Sequence, residues 1–167
     1  HHYSHVGAGI SPMLEPFTMI DKSGSLLDVG CGFGYVVDYW LKIKKEDACG
    51  LEVATYGKMG KKILEIPIFH DYLGECPPVD SRSFDIVYSS EVIEHIVEPL
   101  DFCQKLSARC AADGVLILTA PAAEAILEDI PESDKIAALS PYFHYYLPSK
   151  KGLEHLLRSA GLKHISI

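Results

Sequence analysis

Leu26-Leu27-Asp28-Val29-Gly30-Cys31-Gly32-Phe33-Gly34 decides how this chain is read. It has the form of a short buried strand, an acidic residue near the strand's end, a glycine turn, and then a helix. The helix is marked by Val36, Val37, Trp40 and Leu41, apolar positions at helical spacing. A strand that ends in such a turn delivers the chain to the carboxyl edge of a sheet, where open α/β folds bind ligands. Glycines at 30, 32 and 34 strip the turn of β-carbons, so the backbone bends sharply and a ligand can lie against it. The amides that open the helix offer donors to an anionic group.

The dinucleotide fingerprint G-x-G-x-x-G would place its third glycine at Tyr35, whereas here the spacing is G-x-G-x-G. Ala48-Cys49-Gly50-Leu51-Glu52-Val53 reads as a second strand ending in an acid, about 20 residues past the turn. A carboxylate there accepts from both ribose hydroxyls of an adenosine-type ligand, without choosing between a nicotinamide cofactor and S-adenosylmethionine. Ile66-Pro67-Ile68-Phe69 reads as a third strand. Its proline cannot donate to a ladder, which predicts a place at the sheet edge.

Taken with Asp28, the G-x-G-x-G turn resembles motif I of the class I S-adenosylmethionine-dependent methyltransferases. Ser83-Phe84-Asp85-Ile86-Val87-Tyr88-Ser89-Ser90-Glu91-Val92-Ile93-Glu94-His95-Ile96 resembles the fourth strand and following loop of the ubiquinone-biosynthesis-like subgroup, also called methyltransferase type 11/23. The tail, from Phe143-His144-Tyr145-Tyr146-Leu147-Pro148-Ser149 into a helix closed by Gly161, is similar to the same subgroup. The resemblance covers residues 25–167. It implies an α/β, doubly wound, Rossmann-like and mostly parallel sheet flanked by helices.

The resemblance also implies a site. Asp28, Gly30, Cys31, Gly32 and Gly34 would hold the methionyl end of S-adenosylmethionine, and Glu52 with Val53 the ribose. Asp71 would accept from the adenine amino group, with the amide of Tyr72 facing the ring. Ser90 and Glu91 complete the cofactor set. His95 is the candidate general base or acceptor-orienting group, set against a structural role in holding its loop; His144 carries the same ambiguity. The expected reaction is in-line transfer of the activated methyl group to a small-molecule acceptor, leaving S-adenosylhomocysteine. A non-catalytic S-adenosylmethionine-binding subunit, a protein methyltransferase and a nicotinamide-dependent oxidoreductase stand as alternatives.

Composition bounds the rest. A chain of 167 residues, 48% of them hydrophobic, suits one domain with a sizeable core. Within it, residues 1–24 read as an N-terminal helix or lid, and 121–147 as an insertion on the acceptor side. The formal charge of −8 points away from nucleic acid, since phosphate-tracking surfaces need clustered Lys and Arg. Lys42 to Lys45, Lys58 to Lys62 and Lys150-Lys151 read as solvated helix faces. No apolar run is long enough to span a membrane, so no membrane partner is expected. The five cysteines lack a zinc-ligand spacing, and no metal site is built from His1, His2 and His5. Scattered thiols suggest a reduced, cytoplasmic setting. Oligomeric state is left open. Pro99 opens an apolar-striped helix on which Cys103 and Cys110 are expected to lie, Asp113-Gly114 forms a turn, and Val115 to Ala120 reads as a strand buried on both faces. Leu162 to Ile167 is the candidate sixth strand, and the family's usual final strand has no counterpart in the sequence.

Overall fold

The computed structural model describes residues 11–20, 22–127, 131–140 and 143–167. Five parallel strands form one sheet in the order β3-β2-β1-β4-β5. They are β1 (Leu26–Val29), β2 (Ala48–Leu51), β3 (Ile68–Phe69), β4 (Phe84–Ser90) and β5 (Cys110–Thr119). In register, Asp28 lies beside Gly50 on one side and Tyr88 on the other. β1 is therefore central, which is why Leu26, Leu27 and Val29 are all buried.

Alternation along the strands splits the core in two. Leu26, Ala48, Ile86 and Tyr88 face one layer, with Val36, Val37 and Trp40 of the helix after the glycine turn. That helix, α2 (Tyr35–Tyr39), runs on into a wider π-type turn at Trp40–Lys44. Leu27, Cys49, Phe84 and Val87 face the other layer, with Phe102, Cys103 and Leu106 of α5 (Pro99–Arg109) and Leu157 of α7 (Lys150–Ser159). Ser149 caps α7 by accepting from the Gly152 amide at 3.1 Å, and Gly161 closes it at φ +95°, both at the positions read from sequence. The remaining helices are α1 (Ser11–Thr18), α3 (Thr55–Leu64), α4 (Pro77–Asp80) and α6 (Glu132–Leu139).

β3 is the edge strand, with the Pro67 carbonyl accepting from the Gly50 amide at 3.0 Å. Four expectations need correction. Leu162 to Ile167 forms no strand; Leu162 and Ile165 pack their side chains onto the α5–α7 layer instead. β5 is consequently the other edge among the described residues, and Val115 to Ala120 is only half-buried. Cys110 lies outside the helix, because α5 stops at Arg109 and β5 starts at once. The Asp113-Gly114 turn becomes an irregularity within β5, between the pairs Phe84–Cys110 and Ile86–Val115.

Of the N-terminal segment, residues 1–10 lie outside the described residues. α1 docks on the body of the domain: Phe17 packs on Trp40 and Tyr88, with ring centroids 5.2 and 4.9 Å apart. No helix among the described residues is long and apolar enough to cross a membrane.

Candidate cofactor cleft and acceptor edge

The carboxyl ends of β1, β2 and β4 open onto a cleft of about 570 Å³. Val29 and Gly30 form its floor, Glu52, Val53 and Tyr56 one wall, and Asp71, Tyr72 and Leu73 its end. Glu91, Val92, His95 and Ile96 close the opposite side. The sheet order thus gathers Gly30, Glu52, Val53, Asp71, Tyr72, Glu91 and His95, drawn from four separate stretches of sequence. Asp28, Cys31, Gly32, Gly34 and Ser90 are not on its lining.

The glycine turn has two kinds of glycine. Gly30 has φ +76°, and a β-carbon there would lie 2.3 Å from Cγ2 of Val92. Gly32 has φ +57°, but its β-carbon would meet nothing nearer than Cε2 of Tyr56 at 4.0 Å. Gly30 is therefore required by packing across to the β4 loop. Gly32 is required by backbone conformation and leaves space beside it.

Glu52 ties the turn to the second strand. It is buried; Oε2 accepts from the Gly32 amide at 2.9 Å and Oε1 from the Ala54 amide at 2.7 Å. A carboxylate has about four acceptor sites, so two remain for ligand hydroxyls. Below it, His70 Nδ1 lies 2.9 Å from the Glu52 carbonyl, which can only accept, so the ring nitrogen donates.

Asp28 lies under the turn, buried within β1. Burial, reinforced by the Glu52 charge, pushes its carboxyl up to about 8. Burial also raises the Cys31 thiol far above its ordinary value, aided by Asp28, so Cys31 is a neutral thiol and no nucleophile. Ser90 Oγ sits 2.6 Å from Thr119 Oγ1, bridging β4 to β5.

At the far side, Glu91 takes a left-handed conformation, φ +54°, with its amide donating to the Thr119 carbonyl at 3.0 Å. Burial and then the Glu94 charge raise its carboxyl. A helix that would put Glu91 and His95 on one face does not form; only the single 3-10 turn Ile93–His95 does. Both residues still reach the cleft. His144, singled out in the tail, comes to the same place: its ring centroid lies 4.9 Å from that of His95. Glu94 lies between them, 1% exposed, with Oε1 at 3.9 Å from Nε2 of each histidine. Sequence reasoning did not assign Glu94 a role, although it lies in the Ser83–Ile96 run that carries the resemblance.

The cleft is acidic. Glu52, Asp71, Glu75, Glu91, Glu98 and Asp101 line it, against the single ammonium of Lys105, which is paired with Asp101 at 2.8 Å.

A profile of a methyltransferase domain family matches residues 4–167. The chain belongs to the class I S-adenosylmethionine-dependent methyltransferases. It is 30% identical over 155 residues, 87% of its length, to the tRNA U34 carboxymethyltransferase of Ectopseudomonas mendocina, and covers 47% of that protein. The chain therefore spans about half the length of the curated relatives it matches. A crystal structure of a putative methyltransferase from Bacillus halodurans superposes with a TM-score of 0.71 at 19% identity, over 90% of this chain and 68% of that one. A plantazolicin methyltransferase solved with S-adenosylhomocysteine superposes at 0.64 and 16% identity, over 86% and 58%.

These relatives overturn the expected partners. A small-molecule acceptor and the exclusion of nucleic acid do not stand against relatives named for a tRNA position. The reason is physical. Net charge averages an acidic cleft with separate basic strips, and phosphate contacts depend on local charge. Lys58, Lys61, Lys62 and His70 line one such basic pocket on the outer face of α3.

Two outcomes follow for the turn. Gly30→Val should lower the urea midpoint sharply by driving into Val92. Gly32→Ala should cost only about 1–2 kcal/mol of stability from its left-handed backbone. Circular dichroism during urea titration separates the two. For Asp28, a folded-state value of about 8, above the ordinary 3.8, means that folding disfavours the charged form. Stability is greatest below about 4, falls as pH rises to about 8, and is level above it. Asp28→Asn should match the wild type near pH 4 and exceed it near pH 9 by a few kcal/mol, read as urea midpoints at the two pH values. Parallel profiles would refute the buried-acid assignment.

Proposed function

We propose that this domain binds S-adenosylmethionine in the acidic cleft and transfers its methyl group to a nucleoside of tRNA. The cleft's charge is the observation that carries the donor half. S-adenosylmethionine bears a sulfonium, so its net charge is positive, and six lining carboxylates against one paired ammonium favour it. Asp28, Gly30, Cys31, Gly32 and Gly34 would cradle the methionyl end, with Glu52 and Val53 at the ribose. Asp71 and Tyr72 would meet the adenine, and Ser90 and Glu91 the region of the sulfonium.

The acceptor half rests on the tRNA-modifying relatives. It is compatible with the −8 formal charge because the acidic residues concentrate in a cleft that a single nucleoside can enter. Phosphates would then be met by lysines outside it, such as Lys58, Lys61 and Lys62. A tRNA acceptor also fits the cytoplasmic setting suggested by the scattered thiols.

In-line transfer requires the acceptor atom opposite the sulfonium, with water excluded. The sulfonium is already activated: the methyl carbon leaves sulfur as a neutral thioether forms, and positioning supplies much of the rate. His95 would face the acceptor through Nε2, able to orient it and to take its proton, because its other ring nitrogen is committed to the backbone. Its Nδ1 is bound to the Phe143 carbonyl at 2.8 Å, and its Nε2 faces Glu94.

The transferred group is methyl rather than carboxymethyl on the same charge argument. A donor whose sulfonium carries a carboxymethyl group adds an anion where Glu91 and Glu94 already repel one, and among the lining side chains the one ammonium, Lys105, is already paired with Asp101. The test supplies unmodified bulk tRNA with S-adenosylmethionine labelled in the methyl carbon. Label should enter the RNA, be released by ribonuclease, and show a steep loss with salt. Label found only in protein, or in no product, would overturn the acceptor. Transfer from the carboxymethyl sulfonium at an equal or higher rate would overturn the donor.

A further inference from the structure

The loop after β4 and the 143–146 segment packed against it together hold three metal-capable side chains that the cofactor site does not use. Glu94, His95 and His144 each offer one ligand atom, and all three atoms lie within 4.8 Å of one another. Glu94 Oε2 is buried and has no hydrogen-bond partner among the described residues, in a residue that is 1% exposed. An unpaired buried carboxylate oxygen is costly unless a cation or donor compensates it.

The histidine orientation sharpens this. The Phe143 carbonyl can only accept, so His95 Nδ1, 2.8 Å away, carries a proton. In the neutral ring Nε2 is then a bare lone pair. That lone pair lies 3.9 Å from a carboxylate oxygen, as does Nε2 of His144. A bare His95 lone pair facing a carboxylate oxygen is repulsive without a positive charge between them, and His144 brings a second imidazole nitrogen to the same oxygen. A ring whose other nitrogen donates to a carbonyl is also the arrangement typical of a metal-bound histidine.

The backbone around the cluster is fixed independently. The Tyr145 amide donates to the Glu94 carbonyl at 2.9 Å, and the Tyr146 hydroxyl donates to the Ile93 carbonyl at 2.8 Å. These bonds pin the 143–146 segment against the Ile93–His95 turn, so histidines 49 positions apart in sequence are held together. Two imidazoles and one carboxylate suit a divalent first-row ion such as Zn²⁺ or Mn²⁺. Metal–nitrogen bonds of about 2.0–2.1 Å require the three atoms to close slightly around it.

We propose that Glu94, His95 and His144 bind one divalent transition-metal ion at the acceptor edge of the cleft. His95 and the neighbouring Glu91 line the cleft, so the ion's open coordination positions face the space where an acceptor oxygen would lie. The proposal departs from the sequence-based expectation of no metal, which weighed cysteine spacing and the N-terminal histidines. It does not depend on the identity of the acceptor.

The test is calorimetric titration of the chelator-treated, full chain with Mn²⁺ and, separately, Zn²⁺, in the absence of any acceptor. The wild type should take up one equivalent of at least one of the two ions and show a raised Tm with it. His144→Asn and His95→Asn should each weaken uptake by about tenfold or more, in the range seen when a metal site loses supporting interactions. His155→Asn, on the exposed face of α7, should bind as the wild type does. No saturable uptake of either ion by the wild type would overturn the proposal, whatever the variants do. Equal uptake by folded His95→Asn and the wild type would overturn it too. Failure here would leave methyl transfer to tRNA standing, since that reading is scored on labelled RNA.

Discussion

The Glu52 carboxylate is the tie on which the cleft depends. Its two oxygens receive the Gly32 and Ala54 amides, so one side chain clamps the turn after β1 to the segment after β2. Charge-assisted bonds of this kind are stronger than neutral ones, and here both donors are backbone groups that would otherwise face an open rim. The clamp fixes the spacing between the floor of the cleft and the wall formed by Glu52, Val53 and Tyr56. It also places a negative charge above Asp28, which is one reason that the deeper carboxyl resists ionisation.

The parallel sheet distributes the remaining work. β1 supplies the turn, β2 the clamp and β3 the Asp71–Tyr72 end, while β4 carries Glu91 and the Ile93–His95 turn to the opposite side. Because β1 lies between β2 and β4, the Glu52 and Glu91 sides of the cleft face each other across Gly30. Val92 packs where a β-carbon of Gly30 would be, so the two halves of the cleft touch at the one residue that has no side chain. A domain built this way has a charged, water-accessible cleft above a dry double-layered core.

Much of this was legible in the sequence because it depends on local chemistry. Glycine spacing marked the turn, Pro67 marked the edge strand, and Ser149 and Gly161 marked the ends of α7. The rest depends on distant contacts that spacing does not encode. Nothing near Leu162 to Ile167 says that these residues pack by side chains without pairing. The meeting of Glu94 with His144 is set by the tertiary path of the 143–146 segment. Net charge misled for a related reason: it sums over the chain what the fold separates into an acidic cleft and basic strips. Asp28, Cys31, Gly32, Gly34 and Ser90 are not on the cleft's lining, and their part in holding the cofactor rests on the resemblance alone.

The most direct test of the central claim is a crystal structure of the chain grown with S-adenosylhomocysteine. The account predicts the ribose hydroxyls on the Glu52 carboxylate, the adenine beside Asp71 and Tyr72, and the sulfur over Gly30 facing Glu91 and His95. A ligand bound elsewhere, or one whose ribose lies away from Glu52, would contradict it.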